Sequence, residues 1–210
     1  MGVRERVAPG PAGWVHACQF FDTEESRAEA AATFIAQGLR GGEHVIVIAR
    51  PLHWSAISQY LEAQRVPVER ELGHGRLIVK DAMDTLRRLS PAGVPDEAAF
   101  DATVGVAVRG LAEQGPFRAY GEMVDILAQR GELADTLRLE EMWNRLGQDV
   151  GFSLLCGYAA AHFVSPAAHE TLRHICRTHS TVRHHEQDVL ANWLLTASHY
   201  PTAPASATPH

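Results

Sequence analysis

Residues 20–47, FFDTEESRAEAAATFIAQGLRGGEHVIV, decide how this chain is read. An aromatic strand end runs into a short acidic turn, then a helix, then Gly41-Gly42 and a second strand. Ala28, Ala31, Ala32, Ile35 and Leu39 recur at helical spacing, so the predicted helix covers Glu24 to Gln37, with Gly38 and Gly41-Gly42 marking its end. Glu43 to Ala49 is nearly continuously apolar, the pattern of a parallel strand covered on both faces. This is the layout of a nucleotide-binding βαβ unit, but its turn reads Phe21-Asp22-Thr23-Glu24-Glu25-Ser26. A phosphate loop needs glycine geometry and a Gly-Lys-Ser/Thr ending. Three carboxylates and no lysine are poorly suited to holding a triphosphate.

Working outward, the alternation continues. Trp14 to Phe21, Arg76 to Val79, Phe117 to Tyr120 and Phe152 to Tyr158 read as further strands. Helices are expected over His53 to Gln64, Met83 to Leu89, Asp96 to Glu113, Met123 to Arg130 and Thr136 to Gly147. Such alternation predicts an α/β fold, a three-layer and mostly parallel sheet with right-handed crossovers. Ligands of such sheets bind beyond the carboxyl ends of the strands. The loops to watch are therefore 21–25, 50–54, 80–84 and 120–124. The expected organisation is a loose lead-in over 1–13, an α/β domain over 14–165, a helical extension over 166–195 and a disordered tail over 196–210 rich in Pro, Ala, Thr and Ser.

The chain has 210 residues, 46% of them hydrophobic, enough for one domain with a substantial core. Nineteen basic residues against 25 acidic give a net charge of −6 without a basic stripe, which argues against direct nucleic-acid binding. No apolar run approaches the length of a membrane span and no secretory segment is apparent, so a cytoplasmic protein with no membrane partner is the default expectation. The three cysteines, Cys18, Cys156 and Cys176, form neither a disulfide framework nor a Cys-x-x-Cys pair.

Several separate blocks, in order, resemble one family: HACQFFDTEESRAEAAATFIAQGLRGGEHVIVIA from His16, GRLIVKDA from Gly75, RAYGEMVDILAQRGELADTLRLEEMWNRL from Arg118, LLCGY from Leu154 and HICRTHSTV from His174. They resemble the MEDS domain, the sensory domain named from methanogens, methylotrophs and the DcmR repressor. The resemblance implies a RecA/KaiC-like core with a degenerate P-loop. It also implies a role in sensing small hydrocarbon-derived ligands, often in chains that carry a histidine kinase or helix-turn-helix domain. Neither is apparent here, so the resemblance implies a separate kinase or transcription regulator as partner, with a homodimer left open.

Candidate ligand-binding residues follow from position and chemistry. His16, Cys18 and Phe21 lie on the first strand. His16 and Cys18 alternate and so share one face, but two donors fall short of the three that a zinc site takes from protein, and no metal or other cofactor is expected. His53 and Trp54 follow the second strand, where an imidazole and an aromatic ring suit an apolar ligand with one polar contact. Tyr120 and Glu122 close the short strand. A desolvated Glu122 must be paired or protonated, with Arg118, Tyr120 or a backbone amide as its candidate partners. Glu140 and Asn144 share a helix face, Glu141 is placed to pair with Arg145, and Trp143 lines a pocket or fills the core. Bland readings stand beside each: capping for the acidic turn, helix capping and packing for His53-Trp54, and core filling for the rest. His169, His174, His179 and His184 recur every five residues, a spacing that scatters them around a helix instead of forming one ligating face. The expected function is a non-enzymatic small-molecule-sensing module with no catalytic residues. A protein–protein adaptor without ligand binding is the alternative, and a divergent nucleotide-dependent enzyme the third reading.

Overall fold

The computed structural model describes residues 2–5, 13–185 and 187–197. Seven strands form one sheet in the order β1-β7-β2-β6-β5-β3-β4. They are β1 (Gly2–Glu5), β2 (Val15–Phe21), β3 (His44–Ala49), β4 (Leu77–Asp81), β5 (Phe117–Gly121), β6 (Ser153–Ala159) and β7 (Thr181–His184). Six are parallel, and β1 adds antiparallel at the β7 edge.

Helices cover both faces. On one lie α1 (Glu24–Arg40), α2 (Pro51–Ala63) and α3 (Val68–Gly73). On the other lie α4 (Ala82–Leu89), α5 (Glu97–Phe100), a π-helical turn over Asp101–Gly105, α6 (Val106–Ala112), α7 (Met123–Gln129), α8 (Leu133–Val150), α9 (Pro166–Thr178) and α10 (Val189–Ala197). Strand β3 shows why the apolar run has no polar alternation. Val45, Val47 and Ala49 pack toward α1 and α2, while Ile46 and Ile48 pack toward α4 and α7, all essentially inaccessible to water. A strand with two apolar partners has no wet face to encode.

Three expectations change. First, β1 forms within the stretch read as a loose lead-in, by pairing with β7. Second, the C-terminal helical extension expected over 166–195 is present as α9 and α10, but with strand β7 between them. Leu172 and Ile175 of α9 sit in the main core, and β7 is hydrogen-bonded in register with β2. Val189 and Trp193, on α10, remain exposed. Of the disorder expected over 196–210, Thr196 and Ala197 instead end α10, and 198–210 lie outside the described residues. Third, Gly38 lies inside α1 instead of ending it. A Cβ there would meet the Arg118 side chain at 2.5 Å, so the missing side chain makes room for Arg118 to reach Glu43 at 2.6 Å and the Phe34 carbonyl at 2.9 Å.

Gly147 in α8 makes a similar concession to Trp14, whose ring atoms lie 2.1 Å from where its Cβ would be. Trp14 in turn packs on Phe152 and His16, with ring centroids at 5.1 and 5.3 Å. Gly147→Val is expected to lower stability by about 1–3 kcal/mol, because overpacking outweighs the small gain in helix propensity. Urea denaturation checks this, and an unchanged or higher midpoint would refute it.

Candidate functional site

Three of the four watched loops converge beyond the strand ends. The β2–α1 turn holds only Asp22 and Thr23, which leaves no room for a phosphate-cradling loop. Thr23 caps α1, accepting from the Ser26 amide at 3.1 Å, while the Ser26 hydroxyl lies 3.4 Å from the Thr23 amide. The capping reading of the turn therefore holds, although a hydroxyl does the capping. Asp22 turns the other way. Its carboxylate accepts from the Leu190 and Ala191 amides at 2.7 and 2.8 Å, at the start of α10. Asp188 reciprocates by accepting from the Asp22 amide at 3.0 Å. The turn and α10 thus hold each other's backbone.

Behind the turn lies a buried charge network. Glu122, fully buried, accepts from His53 Nδ1 at 2.8 Å, the Arg50 amide at 3.1 Å and the Tyr120 hydroxyl at 3.0 Å. Arg118 is not its partner, being committed to Glu43. Asp125, also fully buried, accepts from the Ala159 amide at 2.7 Å and pairs with Arg50 and, at 3.4 Å, with Arg27. His53 Nε2 reaches Glu24 at 2.9 Å, and His162 approaches Asp125 at 3.4 Å. Burial pulls the His53 pKa down, but its hydrogen bonds to Glu122 and Glu24 outweigh that and raise it to about 9. The hydrogen bond from His53 in turn holds Glu24 near 2. Burial pushes Glu122 up, yet His53 and Arg27 together keep it below the ordinary carboxylate range. Glu24, Glu122 and His53 are therefore all charged near neutrality, whereas burial lowers the pKa of His162.

Arg27 corrects the view that the turn lacks a cationic anchor. The turn has no lysine, but Arg27 stands behind it, 2% exposed and 5.5 Å over the Phe21 ring. Its Nε and Nη1 have no hydrogen-bond partner among the described residues, although Nε lies 3.3 Å from Glu24. Buried guanidinium N–H groups without acceptors are costly. The fourth loop is not part of this site, since Asp81 there caps α4 through the Met83 and Asp84 amides.

A second cluster lies on the α8–α9 side of the sheet. His16 Nδ1 hydrogen-bonds Asn144 Oδ1 at 2.8 Å. His16 Nε2 faces Glu140 Oε2 at 3.2 Å and Cys156 Sγ at 3.4 Å. His179 hydrogen-bonds the Ile175 carbonyl through Nδ1 at 2.7 Å and turns Nε2 toward Glu140 Oε1 at 3.4 Å. One donor atom from each of His16, Glu140, Cys156 and His179 lies within 4.8 Å of all the others, and all four residues are buried. Tyr158 donates to Glu140 from behind. Burial, reinforced by the neighbouring His179, keeps His16 below the usual histidine range, and burial pushes the Cys156 thiol well up.

The predicted site residues thus divide. His53, Tyr120 and Glu122 meet in the strand-end network, with Phe21 beneath Arg27. Trp54 packs half-buried against the α1–α2 core. His16 and Asn144 meet in the second cluster, whereas Cys18 shares that face but is buried in the core beside it. Trp143 is a core residue, edge-on to Phe100 at 5.3 Å. Arg145 pairs with Glu97, not Glu141. Sequence reasoning missed Arg27, Arg50 and Asp125. The available signal was Asp125 itself, a lone charge in the otherwise apolar run Met123 to Ala128. A groove of about 440 Å³ lies elsewhere, between α5, α6 and α8, lined by Glu97, Phe100, Arg109, Met142 and Arg145 among others.

The described residues contain no helix long and apolar enough to cross a membrane. The profile of the family described as MEthanogen/methylotroph, DcmR Sensory domain matches residues 15–180, well over half of the chain. Both clusters lie within the match except for the Asp188 contact. Among curated proteins, none matches.

Proposed function

This chain belongs to the MEDS sensory-domain family, and from that premise we propose that it senses a small hydrocarbon-derived molecule carrying a hydrogen-bond acceptor at the strand-end site. The single observation behind this reading is Arg27, a buried cation with two nitrogens that lack acceptors, at the edge where ligands of open parallel sheets bind. A carbonyl, carboxylate or halogen substituent would supply what the guanidinium lacks. The hydrocarbon part would meet Phe21 and Trp54.

The site works by binding, not by turnover. Glu122 stands at the end of the short strand, but its oxygens are already committed to His53, Arg50 and Tyr120, which leaves it unsuited to activating water. The output runs through the Asp22–Asp188 contact to α10, which a separate signalling or transcription partner reads. Ligand binding shifts that contact only if the two arrangements differ in affinity.

The test is a thermal-shift and calorimetric screen of small alcohols, carboxylates and halogenated hydrocarbons. At least one is expected to bind. Arg27→Lys keeps the charge beside Asp125 but loses the planar fork, and is expected to weaken that ligand by about tenfold or more, the equivalent of one net hydrogen bond to a charged group. No binding across the panel, or affinity unchanged in Arg27→Lys, would sink the reading.

A further inference from the structure

We propose that His16, Glu140, Cys156 and His179 form a closed, four-coordinate site for a zinc-class divalent transition ion, buried between the sheet and α8–α9.

The geometry of the donors carries this. The His179 Nδ1 contact is to a carbonyl oxygen, which cannot donate, so Nδ1 bears a proton and the neutral ring presents its lone pair at Nε2. The same holds for His16, whose Nδ1–H is fixed by Asn144 Oδ1. Both lone pairs therefore point at the oxygens of one carboxylate. His179 Nε2 has no hydrogen-bond partner among the described residues although it is fully buried. Lone pair against carboxylate oxygen is repulsive in a dry interior; a proton would relieve one such contact, whereas a metal cation at the centre relieves all of them at once. An imidazole held by an outer acceptor, with its free nitrogen aimed inward, is the arrangement metal-ligating histidines adopt.

The spacing agrees. Bonds of about 2.0–2.3 Å from a tetrahedral zinc ion place its donors about 3.3–3.8 Å apart. Here His16 Nε2 to Glu140 Oε2 is 3.2 Å, His16 Nε2 to Cys156 Sγ is 3.4 Å and Cys156 Sγ to Glu140 Oε2 is 3.7 Å, while His179 Nε2 lies 3.4 Å from the other carboxylate oxygen, Oε1; the widest donor separation is within 4.8 Å, which a small inward movement of His179 closes. Two imidazoles, a thiolate and a carboxylate suit zinc and exclude magnesium or calcium, which take oxygen donors. All four positions are filled by protein and buried, so the site is closed and holds structure. On binding, the Cys156 thiol loses its proton to solvent and the sulfur bonds the ion. Tyr158 and Asn144 are the outer partners. The ion joins β2, α8, β6 and the α9–β7 connection. This site is separate from the strand-end network, so either reading can fail alone.

The test uses the full chain, purified from zinc-supplemented cells. Native mass spectrometry and elemental analysis are expected to find one ion per chain. After chelation, Co²⁺ is expected to bind with tetrahedral visible bands and a thiolate charge-transfer band, releasing about one proton per ion. Cys156→Ser removes the charge-transfer band. Asn144→Ala, a positioning change, weakens binding by about 10–100-fold, and His179→Ala by more. The double change His74→Ala and His185→Ala, on exposed histidines, leaves binding intact. A folded wild-type protein that retains no ion and takes up neither Zn²⁺ nor Co²⁺ overturns the proposal without recourse to variants. So does Co²⁺ uptake that Cys156→Ser and His179→Ala leave unaltered.

Discussion

Glu122→Ala is expected to lower the unfolding free energy by about 3–5 kcal/mol, the cost of removing one partner from a buried ion network. The charge count explains why. Arg27, Arg50 and protonated His53 face Glu24, Glu122 and Asp125. Deleting Glu122 leaves a net buried positive charge and strands the Tyr120 hydroxyl and the Arg50 amide. Glu122→Gln keeps the shape and an acceptor for some of these donors, so a smaller loss of about 1–3 kcal/mol is expected. Urea denaturation of the three proteins decides it. A loss under about 1 kcal/mol for the alanine variant would mean that water enters and solvates the network.

The second large effect is on pH. His53 has its pKa raised from 6.5 to about 9 in the folded protein. A raised base stabilises the fold fully below its unfolded value and loses that contribution as pH climbs through the folded one. The window is therefore pH 6.5 to 9, and the amount is about 1–2 kcal/mol once solvent screening of this half-buried ring and its exposed partner Glu24 is counted. Wild type should be markedly weaker at pH 9.5 than at pH 6, and His53→Gln should flatten that difference. On the acid side the sign reverses. Glu24, lowered to about 2, contributes above its ordinary 4.5 and loses its contribution as pH falls below that. Direct titration of the His53 ring by NMR gives the same answer independently, and a midpoint near 6.5 would refute the pairing.

Most of the fold was legible because its signals are local. The EHVIVIA run has the pattern of a doubly covered strand, and the helical spacing of Ala28, Ala31, Ile35 and Leu39 placed α1 and its start, though not its end. Strand β7 was hidden for the opposite reason. Four residues, Thr181 to His184, carry little apolar pattern of their own and become a strand by pairing with β2, whose residues lie about 160 positions earlier in the chain. The sites divide the same way. Tyr120 and Glu122 are two residues apart at a strand end and could be read together. Read along the sequence, His16 is short of ligands because Cys18 is the only donor near it. Its true companions arrive from α8, β6 and the end of α9. The five-residue histidine spacing argues against one ligating helix face, but says nothing of His179 acting with donors from elsewhere. Arg27 was passed over because an arginine early in a polar helix turn is normally solvated. Burial against Phe21 and Asp125 is a property of the packed sheet.

The four converging donors also bear on how the chain folds. Glu140 and Cys156 belong to consecutive elements only 16 residues apart, whereas His16 and Cys156 are 140 residues apart. Bringing such distant segments together carries a loop-closure entropy that must be met before the donors can converge on one point. The sheet must assemble first, with the first strand slotted beside the sixth, before the last corner of the cluster can close. An ion caught there would act as a latch on a finished structure, the reverse of a zinc finger, whose metal nucleates the fold.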